Sequence, residues 1–326
     1  MLHPRRGLSV LALLGGLLLV ATASSASFHH AASQTSDRRE SSQVFRSAVD
    51  AVLLNVTVVN AEQRYVTDLD AGEFSIFEDG VKQQPTFFSR AQLPIVLSLL
   101  IDTSVSMVDQ LPVAQEAAIG FVRHLREEDV AQIVDFDSRV KVMQPFTNRA
   151  LALERAIRAT QPGGATALYN AVYVSLKQLA QVNSPGIPNV RRRAIVLLSD
   201  GKDNSSLVTY GELLDLAKRS DATIHAIGLR SSRTGSLNAS GEADVVLRQL
   251  SLETGGRSHF PTRLQDLERV YREVADELSN QYVIGYASSN PRRDGTWRRI
   301  EVSVTRPNVA ARTRRGYYAG GSASVP

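Results

Sequence analysis

Cysteine is absent from the 326 residues. That excludes disulfides, thiolate zinc sites, a cysteine nucleophile and lipid attachment through a thiol. An excess of one charge is also missing. The chain has 37 Lys and Arg against 33 Asp and Glu, a net +4 scattered along its length. Nucleic acid is therefore not an expected partner. No internal repeat is visible, and no Gly-x-Ser-x-Gly elbow is present to expose a serine nucleophile. A long apolar run is lacking too. "GLSVLALLGGLLLV" is short and interrupted by glycine, which argues against a membrane span.

The same run has a different use. Arg5 and Arg6 precede it, and the small residues Ala21 to Ala23 follow it. Residues 1–23 thus read as a signal peptide, with an uncleaved anchor as the alternative. The mature chain is expected to lie outside the cytoplasm, in the periplasm, at the cell surface or secreted, with no transmembrane span. Export without cysteine fits a bacterial protein that is stabilised by its core. The composition, 43% hydrophobic and 21% charged, supports a large core and more than one domain.

Residues 24–43 are rich in Ser, Ala and Gln and read as a flexible lead-in. Residues 44–92 alternate in the strand period, and Glu78-Asp79-Gly80 signals a hairpin. From 93 to 280 the rhythm changes. Strands are expected at Ile95–Ile101, Ala131–Phe136, Ala194–Ser199, Thr223–Gly228 and Arg257–Phe260. Helices are expected near Val113–Leu125, Ala150–Ala159, Leu168–Gln181, Tyr210–Arg219, Asp244–Leu252 and Leu264–Leu278. This alternation predicts an α/β fold, a doubly wound, mostly parallel sheet covered on both faces. Residues 281–320 return to β pattern, with a turn at Asp294-Gly295. Neither β segment can bury a core alone, so 281–320 is expected to pack with 44–92 as a sandwich around the inserted α/β domain.

In "LPIVLSLLIDTSVSMVDQ" an apolar strand stops at Asp102, and Ser104 and Ser106 follow. Asp200 stands just past another strand, in "AIVLLSDGKDN", and Thr166 opens the helix at Leu168. Open parallel sheets bind ligands beyond the carboxyl ends of their strands, where strand order reverses. If those strands are neighbours, Asp102, Ser104, Ser106, Thr166 and Asp200 gather there. All five offer hard oxygens, a set suited to Mg²⁺, with Mn²⁺ or Ca²⁺ as substitutes. Two carboxylates and three neutral hydroxyls leave such an ion electron-poor. An open position would then accept an Asp or Glu from a partner protein. The plainer reading is that Asp and Ser cap the next helix, which explains single residues but not three loops.

At these residues the sequence resembles a known family. "DTSVS" at Asp102–Ser106 matches the D-x-S-x-S loop of von Willebrand factor type A domains. Thr166 in "GGATALYNAV" and Asp200 in "LLSDGKDN" match the second- and third-loop residues. The resemblance covers about 93–280 and implies an intact metal-ion-dependent adhesion site. It implies direct ligation by Ser104, Ser106 and Thr166, with Asp102 and Asp200 acting directly or through water. The flanks, with "EFSIFEDG" and "YVIGY", are similar to those of bacterial proteins with a VWFA-related domain.

The leading expectation is an exported adhesion or scaffold module with no catalytic residues, binding a protein through a divalent cation. A Mg-dependent phosphohydrolase is the first alternative. Such enzymes usually carry a second carboxylate two residues after the strand-end Asp, where this chain has Ser104. The second alternative is a polyanion- or polysaccharide-binding surface on an Arg hairpin, Arg292 to Arg299. Other signals read as structural: Asp135 and Asp137 late in a strand, Asp203 as a solvated loop acid, His225 as a satisfied core histidine, and Arg191–Arg193 as a solvated lead into a strand. His29 and His30 fall in the lead-in.

Overall fold

In the computed structural model the chain divides at residue 47, and Ala48–Pro326 forms one compact unit. The structure describes residues 51–182, 191–200, 202–229 and 237–320, without side chains for 237–240. The signal peptide, the lead-in with His29 and His30, and the loop at 184–188 lie outside the described residues. No described helix is long and apolar enough to cross a membrane.

The central sheet contains β5 (Ile95–Asp102), β6 (Val130–Phe136), β7 (Val140–Thr147), β8 (Arg192–Ser199), β9 (Ala222–Gly228) and β10 (Ser258–His259). Its order is β10-β9-β8-β5-β6-β7, parallel except for β7, which runs antiparallel to β6. Both faces are covered because the strands are apolar on both sides. Leu97, Leu99 and Ile101 of β5 pack with helices α1 (Leu111–Val122), α2 (Ala150–Arg158) and α6 (Leu267–Ser279). Val96 and Leu100, on the opposite face, meet α3 (Leu168–Gln181), α4 (Tyr210–Arg219) and α5 (Leu237–Thr254). Strand order reverses at β5, whose neighbours are β8 and β6.

The two β segments interleave. One sheet has the order β13-β1-β11-β4, from Val309–Arg312, Ala51–Asn60, Gln281–Ala287 and Pro85–Ser89. The other is β14-β12-β2-β3, from Gly316–Tyr318, Trp297–Val304, Phe74–Glu78 and Val81–Gln83. Alternation in β1 sends Leu54, Val56 and Val58 inward, against Ile76, Tyr282, Ile284 and Ile300. The β2–β3 turn has positive φ at Asp79 and Gly80 (48° and 82°), the conformation an Asp-Gly pair favours in a two-residue hairpin.

Several expectations need correction. The region after β6 is not only a turn. β7 completes the sheet as a half-exposed edge strand, and Pro145 and Lys141 mask its pattern. α5 starts seven residues earlier than its apolar period suggests. Arg292–Arg299 is not a hairpin, because β11 and β12 belong to different sheets. Arg298 is buried there, 3.0 Å from Glu78, whose carboxylate also accepts from Tyr286 and Tyr317 (2.9 Å each) and Ser288 (2.6 Å). Arg192 is no solvated lead either. It is buried and donates to the carbonyls of Leu93 and Leu278.

The α/β layers and the sandwich share a polar seam. Glu277 on α6, 1% exposed, pairs with Arg312 of β13 and lies 4.0 Å from His225 of β9. Arg314 donates to the Lys218 carbonyl (2.8 Å), and the Lys218 ammonium sits 5.0 Å from the Trp297 ring centroid. His225 is not the satisfied core residue expected. Neither ring nitrogen has a hydrogen-bond partner, and burial lowers its pKa.

Candidate metal centre

β5 and β8 are adjacent and in register, so the loops that leave their carboxyl ends begin side by side. Asp102 is the last residue of β5 and is fully buried. One carboxylate oxygen accepts the Ser104 backbone N–H (2.9 Å), and the other accepts the Ser199 hydroxyl (2.5 Å). Burial pushes the Asp102 carboxyl up to about 6, although both donors oppose the rise and the Asp200 charge adds to it.

The chain then turns through a short 3-10 turn, Val105–Met107, with Ser104 at its N-cap. The Ser104 and Ser106 hydroxyls lie 2.9 Å apart, and Ser106 donates to Asp200 Oδ1 at 2.7 Å. Asp200 Oδ2 is buried with no hydrogen-bond partner, and burial raises this carboxyl as well. Four of the five expected residues are thus joined through Ser104 and Ser106: Asp102, Ser104, Ser106 and Asp200.

Thr166, the fifth, is buried in the loop before α3. Its N–H donates to Asn204 Oδ1 (2.8 Å), and its carbonyl accepts from the N–H groups of Asn204 and Ser205 (3.0 and 3.1 Å). The second loop is tied to the first as well: Val105 N–H donates to the Gly164 carbonyl (3.1 Å), and Gly163 N–H to the Thr103 carbonyl (2.7 Å). Gly164 has φ +71°, and a Cβ there would lie 2.9 Å from the Ser138 hydroxyl. The loop conformation therefore requires glycine.

Supporting residues went unnoticed in the sequence. Asp203 is not a solvated acid. It accepts the Tyr169 N–H (3.0 Å) and so serves the start of α3, which no residue of its own caps. Ser206 accepts the Asn170 N–H (3.0 Å), and Asn170 accepts the N–H groups of Leu207 and Val208 (3.1 Å each). Only Asp and Asn next to Ser, in a loop, hinted at this, since such residues often bond backbone groups. Asp135 is structural as expected. It accepts the Thr103 hydroxyl and lies 4.0 Å from the Lys141 ammonium.

The donors are hydroxyl and carboxylate oxygens, with no sulfur or imidazole. That chemistry fits a small, hard divalent cation. The orphaned Asp200 oxygen is the kind of acceptor such an ion satisfies.

Residues 97–202 match the family model of the von Willebrand factor type A domain. An uncharacterized protein of Synechocystis sp. is 29% identical over 145 residues, 42% of this chain. The chain spans only 32% of that relative's length. Among solved structures, a von Willebrand factor type A protein from Catenulispora acidiphila is similar with a TM-score of 0.49. Its identity is 14%, covering 82% of this chain and 62% of that one. A proximal thread matrix protein of the mussel byssus, solved with zinc in its MIDAS motif, has a TM-score of 0.46. It is 17% identical over 57% of this chain and 48% of its own.

Proposed function

We propose that this is an extracytoplasmic, non-enzymatic binding module that grips an acidic residue of a partner protein through a divalent cation. Ser104, Ser106 and Thr166 would hold the cation directly, with Asp102 and Asp200 acting directly or through water. The cation, Mg²⁺ by the hardness of the donors, would supply an electrophilic position for the partner's carboxylate. The chain's own work is positioning. Ser199 and the Ser104 amide restrain Asp102, and Asn204 holds Thr166.

The observation that carries this reading is the buried, partnerless Asp200 oxygen beside two hydroxyls drawn to within 2.9 Å of each other. The site places Ser104 where a phosphohydrolase would need a proton-carrying carboxylate, so binding is preferred over turnover. Mg²⁺ should raise the melting temperature, and the double substitution Ser104→Ala with Ser106→Ala should abolish the gain. An equal gain in the double variant would remove the metal assignment. Mn²⁺, Ca²⁺ and Zn²⁺ in parallel would rank the cations, and a phosphatase assay with Mg²⁺ would expose an enzyme.

A further inference from the structure

Three large apolar side chains stand in solvent on the loops that carry the candidate metal centre. Val105 and Val108 are 59% and 46% exposed, and Leu207 is 92% exposed. Isolated exposed hydrophobics are common on any surface. These three are unusual because their backbones are held in place. Met107, between the two valines, is fully buried, and the Val105 N–H is bonded to Gly164. In 3-10 geometry side chains three apart eclipse one another, so Val105 and Val108 form one apolar face beside Ser106. Leu207 follows Asp200 on the loop whose Asn204 holds Thr166, and its own N–H is bonded to Asn170.

Resting on the metal reading above, we propose that the partner offers its acidic residue on an apolar segment, an Asp or Glu bracketed by aliphatic or aromatic side chains. Val105 and Val108, together with Leu207, take up those flanking groups. The complementarity is chemical. Asp102, Ser104 and Thr166 are buried and one Asp200 oxygen is withdrawn, so the exposed surface beside them offers the Ser106 hydroxyl and the apolar side chains, with a cation's positive charge at its centre. An acid meets the charge, and apolar neighbours cover the rim. Water driven from the rim would strengthen the carboxylate–cation contact, because the local dielectric falls.

The test uses the full chain and three labelled nonapeptides read by fluorescence anisotropy, in Mg²⁺ and in chelator. One peptide has a central Glu flanked by Leu and Val, one has the same Glu flanked by Ser, and one has Gln flanked by Leu and Val. The first should bind at least about tenfold more tightly than either of the others, and only with Mg²⁺. The variant Val105→Ser, Val108→Ser, Leu207→Ser should lose the preference for apolar flanks while its Mg²⁺-induced rise in melting temperature persists. Indifference to the flanks, or no peptide binding while Mg²⁺ still stabilises the chain, would overturn the proposal and spare the metal site. If Mg²⁺ does not stabilise even the parent, the metal reading falls and takes this one with it. A Mg²⁺-dependent dimer in light scattering that the triple variant abolishes would make a second copy the occupant, and would also overturn it.

Discussion

Replacing Asp102 by asparagine should make the metal-free protein more stable, although it removes a candidate ligand. The carboxyl lies in a dry position at the end of β5, and its pKa is raised to about 6 from an ordinary 3.8. The folded state therefore keeps a proton that the unfolded state gives up. In sign, this group's contribution is neutral below about pH 3.8, turns unfavourable as pH rises, and is fully unfavourable above about 6. The displacement corresponds to roughly 3 kcal/mol at neutral pH, or about 6 °C in melting temperature for a chain of this size. Asparagine keeps the geometry: its carbonyl accepts the Ser104 N–H, and its amide donates to the Ser199 hydroxyl, which turns to receive it. Urea unfolding in chelator from pH 4 to 8 is the assay. The Asp102→Asn advantage should be greatest near pH 7.5 and vanish near pH 4. With Mg²⁺ the parent should regain the difference and the variant should not. A variant no more stable than the parent in chelator at pH 7.5 would refute the reasoning.

Asn204→Leu should weaken Mg²⁺ stabilisation about tenfold in concentration, because Thr166 loses the acceptor that fixes its backbone; a titration of melting temperature against Mg²⁺ reads this. Arg298→Met leaves Glu78 buried without its counter-charge and should cost about 3–5 kcal/mol in urea unfolding. Retention on heparin should not change, because that guanidinium does not face solvent. His259, 9% exposed, has its pKa lowered to about 4, chiefly by burial. The unfolded chain takes up that proton first, so stability should be lost as pH falls from about 6.5 to 4, by roughly 3 kcal/mol. His259→Asn should flatten the profile over that window.

The α/β layers were legible because each relied on a strong local signal. The unbroken apolar runs of β5, β8 and β9 have one structural solution, and α3 and α4 fall where their periods put them. The site residues stood out because Asp102 and Asp200 interrupt apolar strands at the same end of the sheet. What escaped depends on partners remote in sequence. Nothing near Arg298 announces Glu78, 220 residues away. Likewise nothing near Asp203 announces the helix start it completes, 34 residues earlier. β7 was hidden because an edge strand is free to be half polar.

In its sheet strand β1 lies between β11 and β13, and both come more than 200 residues later. During synthesis Ala51–Asn60 leaves the ribosome long before either exists, so its apolar face must wait while the α/β layers are made. Contacts of such range close slowly. The sandwich cannot close before Gln281 and the residues after it exist, and a chain truncated before Gln281 leaves β1 with two bare edges. An intact sandwich reports that all the chain between its strands has been delivered.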